Sequence, residues 1–295
     1  MLSEGTSPFI QPSTMILGVP KNTLKSAASI LCLGALVPCE AATTLEFDFT
    51  NPSLDYSSAD WDLNGNALWV NDPDPSGILN PNTRLRLTSS ALNQSGAAWY
   101  TNSTFDLGSG NWEFGIVGQL SYYNNGGADG MAIHLTTGDV SSLVPGIDGQ
   151  GLSTPSISLS LDTWQNAGEA SSYHMTLWLS GTKLGEVNLT PESTNPFELM
   201  LSYDLASNLL TAEYFNVPGE LVADQTITAT NALTAGQLDS LAAARWGFSA
   251  GTGGSGENHD VLTASVNVVP EPSAAAMSIT SLALLVFRRN RKDHR

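Results

Sequence analysis

Apolar and polar residues alternate along several short segments of the chain, which is the pattern of strands that bury one face. Residues 157–161, 175–179 and 197–203 each carry an apolar side chain at every second position. Turn-forming residues follow such segments, as at 180–182 (Ser-Gly-Thr). Helical periodicity is confined to residues 234–244, where the first residue is a Thr that can cap a short helix. The pattern predicts an all-β fold, an antiparallel β-sandwich.

The composition fits this fold class and excludes one class of partner. Of the 295 residues, 41% are hydrophobic and only 13% are charged, and 27 Gly and 15 Pro supply turns. Residues 43–270 hold four basic and 24 acidic residues. So acidic a surface repels phosphate backbones and excludes nucleic-acid binding, whereas cations and neutral ligands remain compatible. Both cysteines precede residue 43, so disulfides and thiolate metal sites play no part in the folded region.

Residues 1–41 have the pattern of an N-terminal extension followed by a signal peptide. Two lysines precede the apolar run 27–37, and small residues on either side of Glu40 fit a signal-peptidase site. An apolar run this short favours secretion over a membrane span. The start codon can be Met1 or Met15, and a short buried helix is the alternative for the run. We therefore expect the protein to be exported.

Residues 269–295 contain three parts in order: a Val-Pro-Glu-Pro motif, the apolar stretch 274–287 and a basic end. This arrangement resembles the PEP-CTERM sorting signal of envelope proteins in diderm bacteria. The resemblance implies transient contact with an exosortase-type sorting enzyme, membrane contact only before processing, and a final location in the cell envelope or extracellular matrix. A plain C-terminal anchor is the alternative, although the apolar stretch is short for a membrane span.

Side chains that can ligate a cation gather after the strand at 157–161. Asp162 ends that strand, Asn166 and Glu169 lie in a connection of 11 residues, and His174 begins the next strand. Long connections are often functional, and oxygen atoms are the ligands of hard cations. An acidic, solvated turn is the alternative that spacing alone leaves open.

Two other local features have less specific signals. Asp129 stands among small residues in Gly127–Ala132, where an Asp beside Gly is usually a turn former. Residues 251–256 form a glycine-rich loop, but no helix and no Lys follow it, so a phosphate cradle is excluded. The default interpretation of this loop is a flexible rim.

Taken in order, seven segments between about residues 45 and 268 resemble the L-type lectin family, of which concanavalin A is a member. The resemblance implies a jelly-roll sandwich over residues 43–268 that binds carbohydrate and is not an enzyme. The segments are Leu85–Ser89 with Ser95–Tyr100, Ala128–Ala132, Leu161–Asn166, Leu201–Asp204, Gly247–Ala250 and His259–Leu262.

The resemblance also implies a set of metal ligands. The implied Ca²⁺ ligands are Asp162, the Trp164 carbonyl, Asn166 and Glu169, and His174 corresponds to the ligand of a second, transition-metal site. That second site, for an ion such as Mn²⁺, lacks a charged ligand because Ser160 stands where the family has a glutamate. Calcium alone is therefore the expected cofactor.

For sugar recognition, the resemblance implies a carboxylate acceptor, an aromatic platform, an amide and backbone N–H donors. Neutral glycans or exopolysaccharide are the expected partners, because polyols need directed hydrogen bonds and an apolar surface. Asp129 is expected to follow a cis peptide bond, and Gly149 or Gly151 supplies a backbone N–H. The implied carbohydrate-binding residues are Asp129, Gly149, Gly151, Trp164, Asn166 and Gly254.

Two other functions compete with this one. Glucanases share the sandwich, but a glycosidase needs two suitably spaced carboxylates, and Glu113 has no acidic partner at strand spacing. Asp162 likewise has Ser160 beside it on its own face of the strand. The second alternative is a structural or adhesion module of the cell envelope that binds no sugar.

Overall fold

A computed structural model of the protein describes residues 42–50, 60–70, 84–124, 128–166, 171–190 and 195–270. Within them, fifteen strands and one short helix account for the regular structure. In chain order the strands are β1 (Thr43–Asp48), β2 (Trp61–Gly65), β3 (Leu68–Val70), β4 (Arg84–Thr88), β5 (Ser95–Tyr100), β6 (Gly110–Asn124), β7 (Gly130–Thr136), β8 (Ser156–Asp162), β9 (His174–Leu179), β10 (Thr182–Asn188), β11 (Phe197–Asp204), β12 (Leu209–Phe215), β13 (Gln225–Thr230), β14 (Arg245–Gly251) and β15 (Gly256–Pro270).

The strands form two antiparallel sheets. The eight-stranded sheet has the order β13-β12-β11-β6-β15-β4-β3, and β1 also pairs with β15 in it. The seven-stranded sheet has the order β10-β9-β8-β7-β14-β5-β2. Runs of consecutive strands, such as β7 to β10, alternate in these sheets with pairs that are far apart in sequence, such as β6 with β15 and β7 with β14. Such long-range pairs are typical of a jelly-roll sandwich rather than of a simple meander. The predicted all-β sandwich is confirmed.

The hydrophobic core lies between the sheets and follows the predicted alternation. Leu159 and Leu161 of β8 and Leu199 and Leu201 of β11 are fully buried in one cluster with the aromatic residues of the other strands. On β11, the residues between them remain partly exposed, because that face of the eight-stranded sheet meets solvent. The period of two in the sequence therefore reports which face of each strand packs inward.

The outer face of the seven-stranded sheet differs from the expected polar, solvated surface. All seven residues of β8 are buried, including those on the polar side. The connection between β7 and β8 covers this face: Leu143 and Val144 pack against Trp99, whose Nε1 donates to the Leu143 carbonyl at 2.9 Å. Alternation predicts the inward face of a strand, but it cannot predict whether a loop covers the other face.

His134 of β7 lies under this cover and is fully buried. Its Nδ1 is 2.8 Å from Ser158 Oγ and its Nε2 is 2.7 Å from Ser249 Oγ, so the imidazole bridges three neighbouring strands. Burial lowers the pKa of His134 to about 3. At neutral pH the ring is therefore uncharged.

The predicted short helix is confirmed. It spans Ala235–Ser240 and continues into a 3₁₀ turn at Leu241–Ala243. Thr234 caps it as expected, and Gln237 completes a capping box by bonding back to the Thr234 backbone. Among the described residues, no helix has the length and apolar character needed to cross a membrane. The last strand ends at Pro270, two residues past the predicted domain boundary.

Candidate functional site

Asp129 lies at one end of the seven-stranded sheet and is held there by its own backbone. Its N–H donates to the Gly251 carbonyl at 2.7 Å, and its carbonyl accepts from the Thr163 N–H at 2.8 Å. The Ala128–Asp129 peptide bond is cis, as the resemblance implies. These contacts bring together three segments that the sequence separates: the start of β7, the end of β8 and the end of β14. The carboxylate remains partly exposed at their meeting point.

Gly130 explains why the chain can turn so tightly beside Asp129. It pairs with Asp162 on one side and with Gly251 on the other, so it sits between two backbones. Its φ is +149°, and a Cβ at this position would lie 2.1 Å from the Leu161 carbonyl oxygen. Any other residue would clash with that oxygen.

The glycine-rich loop borders the Asp129 carboxylate. A Cβ added to Gly253 would lie 3.3 Å from each of the two carboxyl oxygens, whereas Gly254 is exposed and its Cβ would meet nothing within 4 Å. Backbone bonds from Asn93 to Gly253 and from Thr252 to Gln94 fix this loop to the connection before β5. We had expected a flexible rim. Instead, backbone hydrogen bonds hold one side of the loop in place.

Asp162 and His174 face each other at the ends of β8 and β9. Asp162 Oδ2 lies 3.9 Å from His174 Nε2, and Asp162 Oδ1 accepts from the Trp164 N–H at 2.7 Å. His174 Nδ1 is 3.1 Å from the Ser171 carbonyl, which directs Nε2 towards the carboxylate. A histidine held through Nδ1 in this way is oriented as metal-ligating histidines are.

The rest of the implied metal-ligand set is placed only in part. Asn166 is exposed two residues beyond Trp164, and Glu169 lies outside the described residues. In the described part of the chain, no three His, Cys, Asp or Glu side chains converge as a metal-binding group. Ser160 Oγ is engaged by the Trp178 Nε1–H at 3.0 Å and the Thr176 carbonyl at 3.4 Å. These bonds occupy the position where the resemblance implies a transition-metal ligand.

Trp164 is the tryptophan with the largest exposed fraction, at 41%. It follows directly after Thr163, whose backbone is bonded to Asp129. Most large aromatic side chains of the described residues are buried, whereas the Trp164 indole is open to a ligand. Because Thr163 is hydrogen-bonded to Asp129 and Trp164 is the next residue, the Trp164 indole is a candidate stacking platform for a ligand.

The two glycines of the loop between β7 and β8 differ in availability. Gly149 is buried, its N–H donates to the Gly146 carbonyl at 2.9 Å, and a Cβ there would lie 2.6 Å from Ser158 Oγ. Gly151 is exposed and has a φ of +89°. Of the two, Gly151 is therefore the better placed to offer a backbone N–H to a ligand.

Two buried polar residues behind Asp129 were not among the predicted site residues. Glu257 and His259 of β15 are fully buried, and Glu257 Oε1 accepts a hydrogen bond from Thr163 Oγ1. Burial raises the pKa of the Asp129 carboxyl above its ordinary value; His259 lowers that pKa and Glu257 raises it further. The sequence feature that could have pointed to these two residues is the polar run Glu-Asn-His-Asp at 257–260, which precedes a largely apolar stretch of the same strand.

Comparison with known proteins identifies the fold. Neither a protein-family model nor a curated protein sequence matches the chain. Among solved structures, the VIP36 exoplasmic/lumenal domain bound to Ca²⁺ and Man3GlcNAc is 19% identical, with a TM-score of 0.55 over 74% of this chain and 90% of that chain. Winged bean acidic lectin complexed with methyl-α-D-galactose is 17% identical, with a TM-score of 0.56 over 78% of this chain and all of the lectin. Peanut lectin is 13% identical, with a TM-score of 0.60 over 79% of this chain and all of the lectin. The chain has the sandwich fold of legume and L-type lectins.

Proposed function

We propose that the sandwich is a calcium-dependent carbohydrate-binding domain whose site is built on Asp129, Trp164 and Asn166. One observation carries the proposal: the partly exposed Asp129 carboxylate is bordered by Gly253 and joined through the Thr163 backbone to the segment that exposes Trp164. These contacts support a site in which a charged acceptor, an open glycine edge and an exposed indole act together.

This combination suits a neutral polyol. Asp129 accepts hydrogen bonds from sugar hydroxyls, and bonds to a charged acceptor contribute about 1.5–3 kcal/mol each. Trp164 offers its face to the C–H side of a pyranose ring. Gly151 and Gly254 are exposed, and we assign them to the rim of the site, where a ligand could approach the backbone closely. The acidic surface, with a net charge of -17 for the chain, favours uncharged over anionic glycans.

Calcium is the proposed cofactor of this site. Asp162 and His174 are oriented towards each other, and the Trp164 carbonyl and Asn166 side chain follow in the same segment. Bound calcium would order this segment before the sugar arrives and so reduce the entropy lost on binding. The similar structures include VIP36 with Ca²⁺ bound. Glu169 would complete the set, and the engagement of Ser160 by neighbouring groups argues against a second metal.

Catalysis is the less favoured function of this site. Glycosidases need an acid and a second carboxylate flanking the scissile bond. Asp129 points towards the glycine loop, whereas Asp162 is buried and already bonded to the Trp164 N–H. Glu257 is fully buried. The winged bean and peanut proteins with this fold are lectins. A structural module without sugar binding remains the second candidate, and a binding experiment separates it from the lectin function.

The location of the protein follows from its two terminal segments, which lie outside the described residues apart from Val269 and Pro270. We propose export through the N-terminal signal and sorting to the cell envelope through the C-terminal one, by an exosortase-type enzyme. Mass spectrometry of envelope protein that recovered peptides from residues 288–295 would contradict processing of the tail.

Glycan-array binding by the full chain, with Ca²⁺ and with EDTA, tests the proposed function. We expect binding to neutral glycans that disappears with EDTA. Asp129→Asn should weaken this binding at least about tenfold, because it removes the charged acceptor. Asp239→Asn is the matched control, since Asp239 is an exposed carboxylate in the short helix. Binding by the Asp129→Asn variant equal to that of wild type would overturn the assignment.

A further inference from the structure

A fully buried carboxylate lies behind the candidate site. Glu257, the second residue of β15, has no exposed surface. Its Oε1 accepts from Thr163 Oγ1 and lies 3.2 Å from His259 Nε2. In the described part of the chain, its Oε2 has no hydrogen-bond partner. A buried carboxylate with one oxygen unmatched is costly, so a role beyond filling space has to account for it.

His259 fixes the orientation of this carboxylate. Its Nδ1 lies 2.5 Å from Thr88 Oγ1, so both ring nitrogens are occupied and the ring cannot turn away from Glu257. Thr88 and His259 are fully buried on the paired strands β4 and β15. Residues of the eight-stranded sheet thus hold the Glu257 carboxylate in place. Its hydrogen-bond donor, Thr163, lies at the end of the seven-stranded sheet, so this bond links the two sheets.

Thr163 is the residue through which this network reaches the site. It lies just beyond the last residue of β8, so the strand ladder no longer supports it. Its N–H donates to the Asp129 carbonyl and its hydroxyl donates to Glu257. Its two neighbours in sequence are Asp162 and Trp164. One side chain therefore anchors the start of the segment that carries the proposed platform and metal ligands.

We propose that Glu257 is a positioning residue of the glycan site: it fixes Thr163, and through Thr163 it sets where Trp164 stands relative to Asp129. This inference rests on the proposed glycan-binding function. His259 and Thr88 hold Glu257 in place. Glu257 also raises the pKa of the nearby Asp129 carboxyl.

The hydroxyl of Thr163 provides the sharpest test. Thr163→Val keeps the shape of the side chain but removes the donor, and Thr163→Ser keeps the donor. We expect Thr163→Val to weaken glycan affinity about tenfold and Thr163→Ser to remain within about threefold of wild type. Thr228→Val, at an exposed position of β13, is the matched control and should bind like wild type. Isothermal titration with the glycan selected on the array measures all four proteins.

Two further readouts separate positioning from a general loss of stability. Acrylamide quenching of Trp164 fluorescence, obtained as the difference between each protein and its Trp164→Phe counterpart, should change in Thr163→Val without ligand. Glu257→Gln keeps an oxygen that accepts from Thr163, so its Trp164 quenching should stay like that of wild type. Glu257→Leu removes the acceptor and should change the quenching as Thr163→Val does. This second pair tests the proposal even if Thr163→Val does not fold.

The outcomes are distinguishable from those of the proposed function. If wild type binds no glycan, the lectin function fails, and the quenching difference alone decides whether Glu257 positions Trp164. If wild type binds but Thr163→Val binds equally well with unchanged quenching, the positioning role is overturned. A Thr163→Ser variant as weak as Thr163→Val, or a Glu257→Leu variant with unchanged quenching, would also count against it.

Discussion

Asp162 and His174 are direct partners across β8 and β9, and 3.9 Å separates Oδ2 of the aspartate from Nε2 of the histidine. Strand pairing alone therefore brings the first carboxylate of the candidate metal segment to an imidazole 12 positions away. Because the sheet fixes both ends of the connection, the folded chain presents these two ligand types together.

The first prediction concerns calcium and stability. Saturating Ca²⁺ should raise the thermal midpoint of the protein by about 5–10 °C, since a ligand at 100 times its Kd stabilises the folded state by about 2.7 kcal/mol. Asp162→Asn should abolish this rise, and Asp239→Asn should retain it. Differential scanning calorimetry with Ca²⁺ and with EDTA measures both. A wild-type thermal midpoint that EDTA leaves unchanged would contradict the proposed calcium site.

The second prediction concerns the pH dependence of sugar binding. Burial raises the pKa of Asp129 above its ordinary value of 3.8. Because the charged carboxylate is the acceptor, affinity should fall as the pH drops through this raised pKa, and the loss should begin at a higher pH than for an ordinary aspartate. Measuring glycan affinity between pH 7 and pH 4 locates the pH at which half of the affinity is lost. Following the calcium-dependent stability over the same range shows whether calcium is lost first. A midpoint at or below pH 3.8 would contradict the burial of this carboxyl.

The third prediction concerns acid stability and His134. Burial lowers its pKa to about 3 in the folded protein, against the ordinary value of 6.5 for a histidine. The unfolded chain therefore binds one more proton than the folded chain between these pH values, so stability falls as the pH is lowered through this window. The contribution is about 1.4 kcal/mol per pH unit. Urea unfolding of wild type and His134→Gln at pH 7, 6, 5 and 4 should show a shallower slope for the variant. Equal slopes would mean that the imidazole is not the titrating group.

The fourth prediction concerns the glycine next to Asp129. Gly130→Ala should destabilise the protein by more than about 3 kcal/mol, because its φ is positive and the added Cβ meets the Leu161 carbonyl. Gly236→Ala is the control: a Cβ there meets nothing within 4 Å, and the residue lies in the short helix. It should stabilise slightly, by about 0.5–1 kcal/mol. Chemical denaturation of both variants is the measurement, and similar effects for the two would refute the steric argument.

The elements of the fold were predictable because their signals are local. Leu159 and Leu161 show the period of a strand, and Thr234 with Gln237 shows a capping box in the letters alone. The burial of His134 was not predictable in the same way. It depends on a loop that returns over the outer face of the sheet, and alternation within β7 contains no information about that loop.

The candidate site was predictable where the family motif is continuous and less so where it depends on packing. A backbone hydrogen bond joins Thr163 to Asp129, and both residues lie in segments that carry the resemblance. The hydrogen bond from the Gly149 N–H to the Gly146 carbonyl could not be inferred from the sequence. The same holds for Glu257, whose role arises from contacts between two sheets that no spacing rule connects.

The length of β15 has a consequence for how the site is presented. Its first residues lie behind Asp129, and its last residue, Pro270, pairs with Gly110 at the far end of the sheet. Fifteen extended residues span about 50 Å. β1 pairs alongside, with Thr43 opposite Val268, so the described chain enters and leaves at the same distal end. A tether at Pro270 would therefore hold the candidate site at the end of the sandwich that lies away from the attachment surface.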